Sequence, residues 1–447
     1  MTASASLRQR FLSAGLWALV ARVLAALAGF ATNLLVVRLL PPADVGFYFL
    51  LVSAVTLAAT LAQGGLQVAV VRLVAAAVAR GEPGTARGVI VRSLQVAAMA
   101  AATLALVALL AGPWLFRRWV GIDLGHGILL LACAWLLALT VANLVAECMR
   151  GLHEYRQASL MSTTLPNVIA VASLGALLAL SLPVDLEVVA AVGAAAVAVA
   201  AGYALVALRR RVASLGTAVA ARARDLLVVG WPLVVTAMAL FVTTQIDLWI
   251  VGARCGTYDV AIYGASARLI AMVVMPMLVA NTVLQPLVAD LHGRGDTARL
   301  EGLVRGTAAA TAAVAVPVVL LLFAAAEPIL ALAYGEYYRN GATVLSLLSA
   351  GQAVNVLAGP GAVVLMMTGG EREVMLVSIA CGVFLAVAGY LAAGSYGSVG
   401  VAAVTAITNG MHGILCLLVV RNRLGIRVHA SFHHLVRTVS RIRTATS

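Results

Sequence analysis

The chain alternates between long apolar segments and short polar stretches. The apolar segments are about 20 residues long or more and rich in Ala, Leu, Val and Gly, the length that an α-helix needs to cross a bilayer. They lack the alternation over about ten residues that is typical of membrane β-strands. The pattern predicts an all-α polytopic membrane protein with about 12 transmembrane helices, at residues 12–38, 46–71, 90–114, 126–148, 158–182, 187–208, 226–252, 260–288, 304–326, 342–367, 374–394 and 399–420.

Composition agrees with this pattern. The 447 residues are 63% hydrophobic and 11% charged, and the mean hydropathy of +1.04 lies far above that of soluble domains. The net charge of +13 does not indicate nucleic-acid binding, because every basic residue is an arginine and the arginines cluster between apolar segments. That distribution is typical of cytoplasmic loops that face anionic lipid headgroups.

The arginine distribution also predicts an orientation. With the predicted spans, 23 of the 30 arginines fall on the side of the N-terminus and 5 on the opposite side, while Arg22 and Arg268 fall inside spans. The positive-inside rule therefore places both termini in the cytoplasm.

Weak internal repeats divide the chain into two halves. Asp44-Val-Gly-Phe-Tyr48 recurs as Asp259-Val-Ala-Ile-Tyr263, and Gly15-Leu-Trp17 recurs as Gly230-Trp-Pro232, both about 215 residues later. These repeats predict two six-helix lobes related by a pseudo-two-fold axis along the membrane normal, with the substrate site between them. The predicted domains are an N-terminal lobe at 1–208, a basic cytoplasmic linker at 209–225, a C-terminal lobe at 226–420 and a basic cytoplasmic tail at 421–447.

Polar residues inside the spans are the candidate site. Arg22 shares one helix face with Gly15, Gly29 and Asn33, because steps of seven and eleven residues nearly complete whole turns. An ionisable side chain in the bilayer is costly, so Arg22 is expected to face polar surroundings. Two interpretations stay open: packing against a neighbouring helix, or lining of a water-filled cavity.

The other candidates for the cavity are spread over several spans. They are Asn33, Gln63, Asn143, Gln245, Asp247 and Arg268. A lone intramembrane amide commonly forms a hydrogen bond between helices. By depth in the membrane, Asp247 and Arg268 could either form an ion pair or act separately, and Asp247 is the candidate coupling carboxylate.

The sequence contains no sign of an enzyme. It has no P-loop, no HExxH, no nucleophile elbow in a strand-turn-helix context, and no loop large enough for a catalytic domain. Its five cysteines and seven histidines show no metal-ligand or disulfide spacing. No cofactor is expected; the coupling ion, H⁺ or Na⁺, is left open.

Six segments along the chain have a recognisable pattern. They are VVRLLPPADVGFYFL at 36–50, MRGLHEYRQASL at 149–160, TTQIDLWIVG at 243–252, YDVAIYGASARL at 258–269, AYGEYYRNGATVLSLLSAGQ at 333–352, and the stretch from Gly397 to Ile426. These segments resemble the bacterial polysaccharide flippases of the multidrug, oligosaccharidyl-lipid and polysaccharide exporter (MOP) superfamily. The likeness extends over nearly the whole chain.

The resemblance implies a transporter of the bacterial inner membrane that works by alternating access. Its substrate would be a polyprenyl-diphosphate-linked oligosaccharide for cell-surface polysaccharide, of the O-antigen or exopolysaccharide type. The expected partners are membrane lipids and other polysaccharide-assembly proteins. The protein is expected to be a monomer and to bind no nucleic acid. In this interpretation Arg22, with Arg268 as a second charge, contacts the diphosphate.

Two alternatives remain. One is a cation-coupled multidrug exporter of the same superfamily, which is expected to carry acidic cavity residues where the first span here carries Arg22. The other is a membrane glycosyltransferase or polymerase, which usually needs a sizeable loop with catalytic groups outside the membrane.

Overall fold

The computed structural model describes residues 24–430 except 120, 122–124, 214, 218 and 220–222; for 119, 223–233, 235–237 and 239–240 it describes the backbone only. Fourteen α-helices, and no strand, occur in this part of the chain. Two compact units divide the chain, residues 1–238 and residues 239–447. The domain limits predicted from the sequence stay a prediction.

Unit 1 contains seven helices and the start of the eighth. Their bounds are α1 Leu24–Leu39, α2 Pro42–Gln63, α3 Leu66–Ala79, α4 Pro83–Trp119, α5 His126–Gly151, α6 Tyr155–Ala179 and α7 Leu186–Ala213. Helix α6 contains one π-helical turn at Leu160–Thr164.

Unit 2 contains the rest of α8 and six further helices. Their bounds are α8 Ala223–Arg254, α9 Thr257–Gly293, α10 Thr297–Ala324, α11 Ala326–Tyr334, α12 Ala342–Ala358, α13 Gly361–Met367 and α14 Glu371–Leu424. A short 3-10 helix, Glu336–Gly341, joins α11 to α12.

Nine helices in the described part are long and apolar enough to cross a membrane. One of them, α14, has 54 residues, about 80 Å at 1.5 Å per residue, which is enough for two crossings. It is kinked at Gly397, where φ is 59° and ψ −147°, within the polar break predicted between the last two spans. The spans predicted at 12–38 and 226–252 fall on α1 and α8, which are described only in part.

Glycine breaks shorten two of the predicted spans. The second predicted span, 46–71, ends at Gly64 and Gly65, both with positive φ, so α2 and α3 are separate helices. The span predicted at 342–367 is interrupted at Gly359, φ 87°, before Pro360. The N–H of Gly64 donates to the Leu61 carbonyl and that of Gly359 to the Val356 carbonyl. Positive φ, which glycine adopts readily, ends each helix there, and hydropathy alone does not reveal it.

Each unit has its own buried core. In unit 1 the core joins α3, α4, α5, α6 and α7, with Leu144, Val145 and Met149 of α5 fully buried at its centre. In unit 2 it joins α9, α10, α13 and α14, together with Ile426 and Val428 beyond the end of α14. Dense packing of small and β-branched residues is how helices associate in a bilayer, where lipid is as apolar as Leu.

Candidate functional site

The clearest polar cluster lies in unit 2, on α8, α9 and α14. Gly256 (φ 89°) separates α8 from α9. Asp247 lies about 13 Å before this turn along α8, and Tyr263 lies about 10 Å after it along α9, so the two residues are at similar heights on antiparallel helices. The Tyr263 hydroxyl donates to Asp247 Oδ2 at 2.7 Å. Since that hydroxyl has one hydrogen, the contact of 3.0 Å between Tyr263 and Thr405 Oγ1 of α14 is a bond that Thr405 donates.

A second polar contact joins α9 to α14 closer to the turn. Ser398 Oγ donates to Asp259 Oδ1 at 2.6 Å. Asp259 is one turn before Tyr263 on α9, and Ser398 is two turns before Thr405 on α14, so the contacts lie on one face of each helix. Hydrogen bonds between helices fix their register in a medium that offers the groups no water.

Asp247 is half-buried, and its second oxygen, Oδ1, accepts the backbone N–H of Leu248 at 2.8 Å. A carboxylate away from water needs such donors or an opposite charge. The partners of Asp247 in the described structure are therefore a hydroxyl and a backbone N–H.

The ion pair considered between Asp247 and Arg268 is not formed. Arg268 follows Tyr263 by five residues, which rotates it about 140° around α9. Its Nη1 donates instead to the carbonyl of Gly264, at 2.9 Å, and its charge lies within electrostatic range of Tyr334 at the end of α11. The prediction compared depths in the membrane and not directions around the helix.

The remaining candidates are placed as follows. Gln245 is half-buried on α8, about 160° around the helix from Asp247. In unit 1, Asn33 of α1 donates to the Gly29 carbonyl at 2.7 Å. Gln63, 1% exposed at the end of α2, accepts a short hydrogen bond from Gln67. Asn143 is half-buried on α5.

Arg22 lies outside the described residues. Asn33, Gln63 and Asn143 stand on three different helices of unit 1, whereas Asp247 and Arg268 stand on two helices of unit 2. The predicted site set as a whole, and its location between two lobes, stay predictions.

Tyr263 and Thr405 were absent from the predicted set. Tyr263 could have been found, because it ends the repeated motif that begins at Asp259. Its counterpart Tyr48 packs against Trp135, with ring centroids 6.3 Å apart. Nothing in the sequence distinguishes Thr405 as a site residue, because the hydroxyl of a threonine inside an apolar helix usually forms a hydrogen bond with a backbone carbonyl of the same helix.

Comparison with known families adds to this picture. The family described as "Polysaccharide biosynthesis protein" matches residues 11–292, well over half of the chain. The chain belongs to this family. A second family, MatE, matches residues 232–391. No curated protein matches the sequence.

Solved structures resemble this family member in fold. A multidrug resistance MATE family transporter of the MOP superfamily, inward-facing, superposes with a TM-score of 0.73 at 18% identity, over 90% of this chain and 94% of the other. The lipid II flippase MurJ, in an inward closed conformation, gives 0.74 at 10% identity, over 93% and 88%. A MOP superfamily transporter from Pyrococcus furiosus Vc1 (DSM3638) gives 0.62 at 17%, over 92% and 94%.

These findings confirm the resemblance inferred from the sequence. This member of the polysaccharide biosynthesis family is a multi-pass membrane protein with a MATE-like fold.

Proposed function

We propose that this protein flips a polyprenyl-diphosphate-linked oligosaccharide from the cytoplasmic to the outer leaflet of the bacterial inner membrane, by alternating access. The product would feed cell-surface polysaccharide, of the O-antigen or exopolysaccharide type. The observation that carries the proposal is the family match over residues 11–292. The fold likeness to MurJ, itself a lipid II flippase by name, supports it.

The sign of the intramembrane charge fits an anionic headgroup. Arg268 is half-buried about 17 Å from the start of α9, in a helix of 37 residues. A guanidinium stays charged when partly desolvated and grips phosphate oxygens with two parallel hydrogen bonds. In the proposal Arg268 and Arg22 hold the diphosphate, while the lipid tail stays in the bilayer.

Asp247 is the proposed coupling group, for H⁺ or Na⁺. Its carboxylate bonds Tyr263 of α9, which bonds Thr405 of α14. A change of charge at Asp247 would therefore alter the contact between three helices. Moving charge across the membrane potential supplies about 2.3 kcal/mol per elementary charge per 100 mV.

A second candidate function has one observation in its favour. The MatE match covers residues 232–391, which include Asp247 and most of unit 2. A cation-coupled drug exporter would use such a carboxylate to bind an organic cation. Basic Arg268 on the neighbouring helix argues against a cationic substrate there.

The test uses purified protein in vesicles with a labelled lipid-linked oligosaccharide in one leaflet. The proposed function requires that the label become accessible on the other side with its mass unchanged. Movement of an organic cation without movement of the lipid would support the drug exporter. A product of altered mass would indicate an enzyme.

Substitutions at two residues sharpen this assay. Arg22→Ala should abolish flipping while leaving protein abundance normal, and Arg22→Lys should retain part of the activity as a point charge. Normal flipping by Arg22→Ala, or failure of that variant to accumulate, would instead assign Arg22 to helix packing. Asp247→Asn should remove the dependence of flipping on an ion gradient or potential.

A further inference from the structure

The chain folds back onto unit 2 after its last helix. Gly425, with φ 69°, ends α14, and residues 425–430 form what we call the C-terminal strap. Ile426 and Val428 are 3% and 0% exposed in the unit 2 core. The Ala430 N–H donates to the Leu357 carbonyl near the end of α12, at 3.0 Å.

The strap runs beside the first turns of α10. A Cβ placed on Gly359 would lie 2.1 Å from the Val428 carbonyl oxygen and 3.3 Å from the Ala308 methyl group. Val428 therefore lies close to Ala308, which is one turn beyond Arg305 on α10. Ile426 and Val428 point into the core, whereas the two ionisable residues of the strap, Arg427 and His429, remain accessible.

Arg305 is unusual among the arginines of this region. Its side chain is only 14% exposed, and its one ion pair is with Glu301, at 3.2 Å. Its Nε is buried and has no hydrogen-bond partner in the described structure. A buried charged donor without an acceptor is costly, so this guanidinium has capacity for a further anion.

Arg305 is one of three arginines that lie near His429. Arg421 and Arg427 are exposed, and neither forms an ion pair within the part of the chain that the structure describes. His429 lies within electrostatic range of all three arginines and of Glu301. Burial first, and then Arg305 and Arg427, hold the pKa of His429 below its ordinary value of 6.5, against the opposing effect of Glu301. Three arginines thus face one carboxylate.

We propose that Arg305, Arg421, Arg427 and His429 form a binding site for a phosphate group. Arg305 supplies fixed, partly buried donors, and Arg421 and Arg427 close on the anion from the surface. The phosphate would come from an anionic phospholipid headgroup or from a soluble phosphate. The site lies within unit 2 at the end of α14, and its existence does not depend on the transported substrate.

The test measures lipid retention on the full-length protein by native mass spectrometry in mild detergent. Phosphatidylglycerol and phosphatidylcholine are added at equal concentration, with and without inorganic pyrophosphate. Loss of one charged contact should weaken phosphatidylglycerol binding about tenfold in Arg427→Ala and in Arg305→Lys, which keeps the charge but loses Nε. Arg294→Ala is the matched control, since it removes an arginine that is 71% exposed and already paired with Asp290.

The outcomes separate the two sources of phosphate. Selective retention of phosphatidylglycerol that needs Arg305 and Arg427, resists pyrophosphate and survives Arg294→Ala assigns the site to a lipid. Binding of pyrophosphate with the same variant profile assigns it to a soluble phosphate. Equal retention by wild type and both site variants overturns the proposal, as does an equal loss in Arg294→Ala, which would indicate general surface charge.

Acidification gives an independent readout. A bound phosphate favours protonated His429, so the affinity should rise as the pH falls below 6.5 toward the lowered pKa of this residue. Glu301, Arg305, Arg421 and Arg427 are the other charged groups that act on this residue. His429→Gln should bind phosphate with a flatter pH profile, and an unchanged profile would remove His429 from the site.

Discussion

Tyr263 is fully buried, and its hydroxyl joins α8 to α14 through Asp247 and Thr405. Tyr263→Phe removes both hydrogen bonds and leaves the carboxylate without its side-chain donor. A hydrogen bond to a charged group is worth about 1.5–3 kcal/mol, so we expect the protein to lose about that much stability. Thermal unfolding in detergent measures the loss.

The control for this variant is Tyr396→Phe. Tyr396 is 75% exposed near the kink of α14, and the same change there should leave the melting temperature as it is. Equal melting temperatures for wild type and Tyr263→Phe would mean that the hydroxyl contributes little to holding these helices together.

His429 gives stability a pH dependence. Its pKa is lowered in the folded protein, so between that value and 6.5 the unfolded chain binds more protons than the folded one. Stability is then fully present above pH 6.5 and falls as the pH drops toward the folded pKa. We expect acidification in phosphate-free buffer to lower the melting temperature less in His429→Gln than in wild type. Identical slopes would contradict this assignment.

At the residue scale, the sequence identifies the ionisable residues inside apolar helices, but it does not predict the groups that they contact. Asp247 and Arg268 stand out because ionisable groups are rare in apolar helices. Their partners depend on rotation of one helix against another, which a difference of five residues changes by about 140°. Tyr263 and Thr405 are common in membrane helices, so nothing distinguished them before the three helices were seen together.

Between α12 and α14, Gly351 allows a close approach of the two backbones. A Cβ on Gly351 would lie 2.4 Å from the Cα of Ala406, so the two backbones touch and there is no flexible side chain to move. Gly351→Ala should separate the helices and cost about 1–3 kcal/mol, as overpacking commonly does. The melting temperature and the yield of folded protein report the effect.

Gly302→Ala is the matched control. Gly302 lies inside α10 with nothing within 4 Å of its added Cβ. Alanine there should be neutral or stabilise by about 0.5–1 kcal/mol, because glycine is the poorer helix former. If both variants melted alike, the close approach of α12 and α14 would have no energetic role.

Helix limits show what hydropathy can and cannot predict. The apolar segments from 90 to 114 and from 187 to 208 correspond to α4 and α7, which are longer at both ends. Polar residues at the ends of a helix make it longer than the apolar segment that hydropathy detects. The divisions at Gly64 and Gly359 depend instead on backbone angles within an apolar run.

The two units share a turn with the same backbone structure. Arg80-Gly-Glu82 after α3 and Arg294-Gly-Asp296 after α9 form the same hydrogen-bonded end, with φ of 71° at Gly81 and 70° at Gly295. Thr-Ala-Arg follows the second turn directly and the first turn after Pro83-Gly84. The two Arg-Gly turns are 214 residues apart, one residue fewer than the Asp44 and Asp259 motifs.

At the scale of the whole molecule, the orientation of the helices in the membrane is predicted from the arginine distribution. Helix α7 has Glu187 at its start and Arg209 to Arg211 near its end. Its 28 residues extend about 42 Å, so Asp185 and Thr217, which flank it, lie on opposite sides of a bilayer. The arginine excess predicts that Thr217 is cytoplasmic and Asp185 external.

Single cysteines test this orientation. The five native cysteines, four of them buried, are first replaced. A cysteine at Thr217, or at Ser447 in the tail outside the described residues, should resist an impermeant thiol reagent in intact cells. Cysteines at Asp185 or Ser395, both exposed in the structure, should react.

Permeabilised cells provide the control, because all four cysteines should then be labelled. Protection of Asp185 and Ser395 with labelling of Thr217 would reverse the orientation and place the phosphate site proposed beside α14 outside the cell. Labelling of both Thr217 and Asp185 in intact cells would mean that α7 does not span. Only the predicted pattern puts the strap and Arg305 where anionic headgroups of the inner leaflet can reach them, because both lie in the unit 2 region near the C-terminal end of α14.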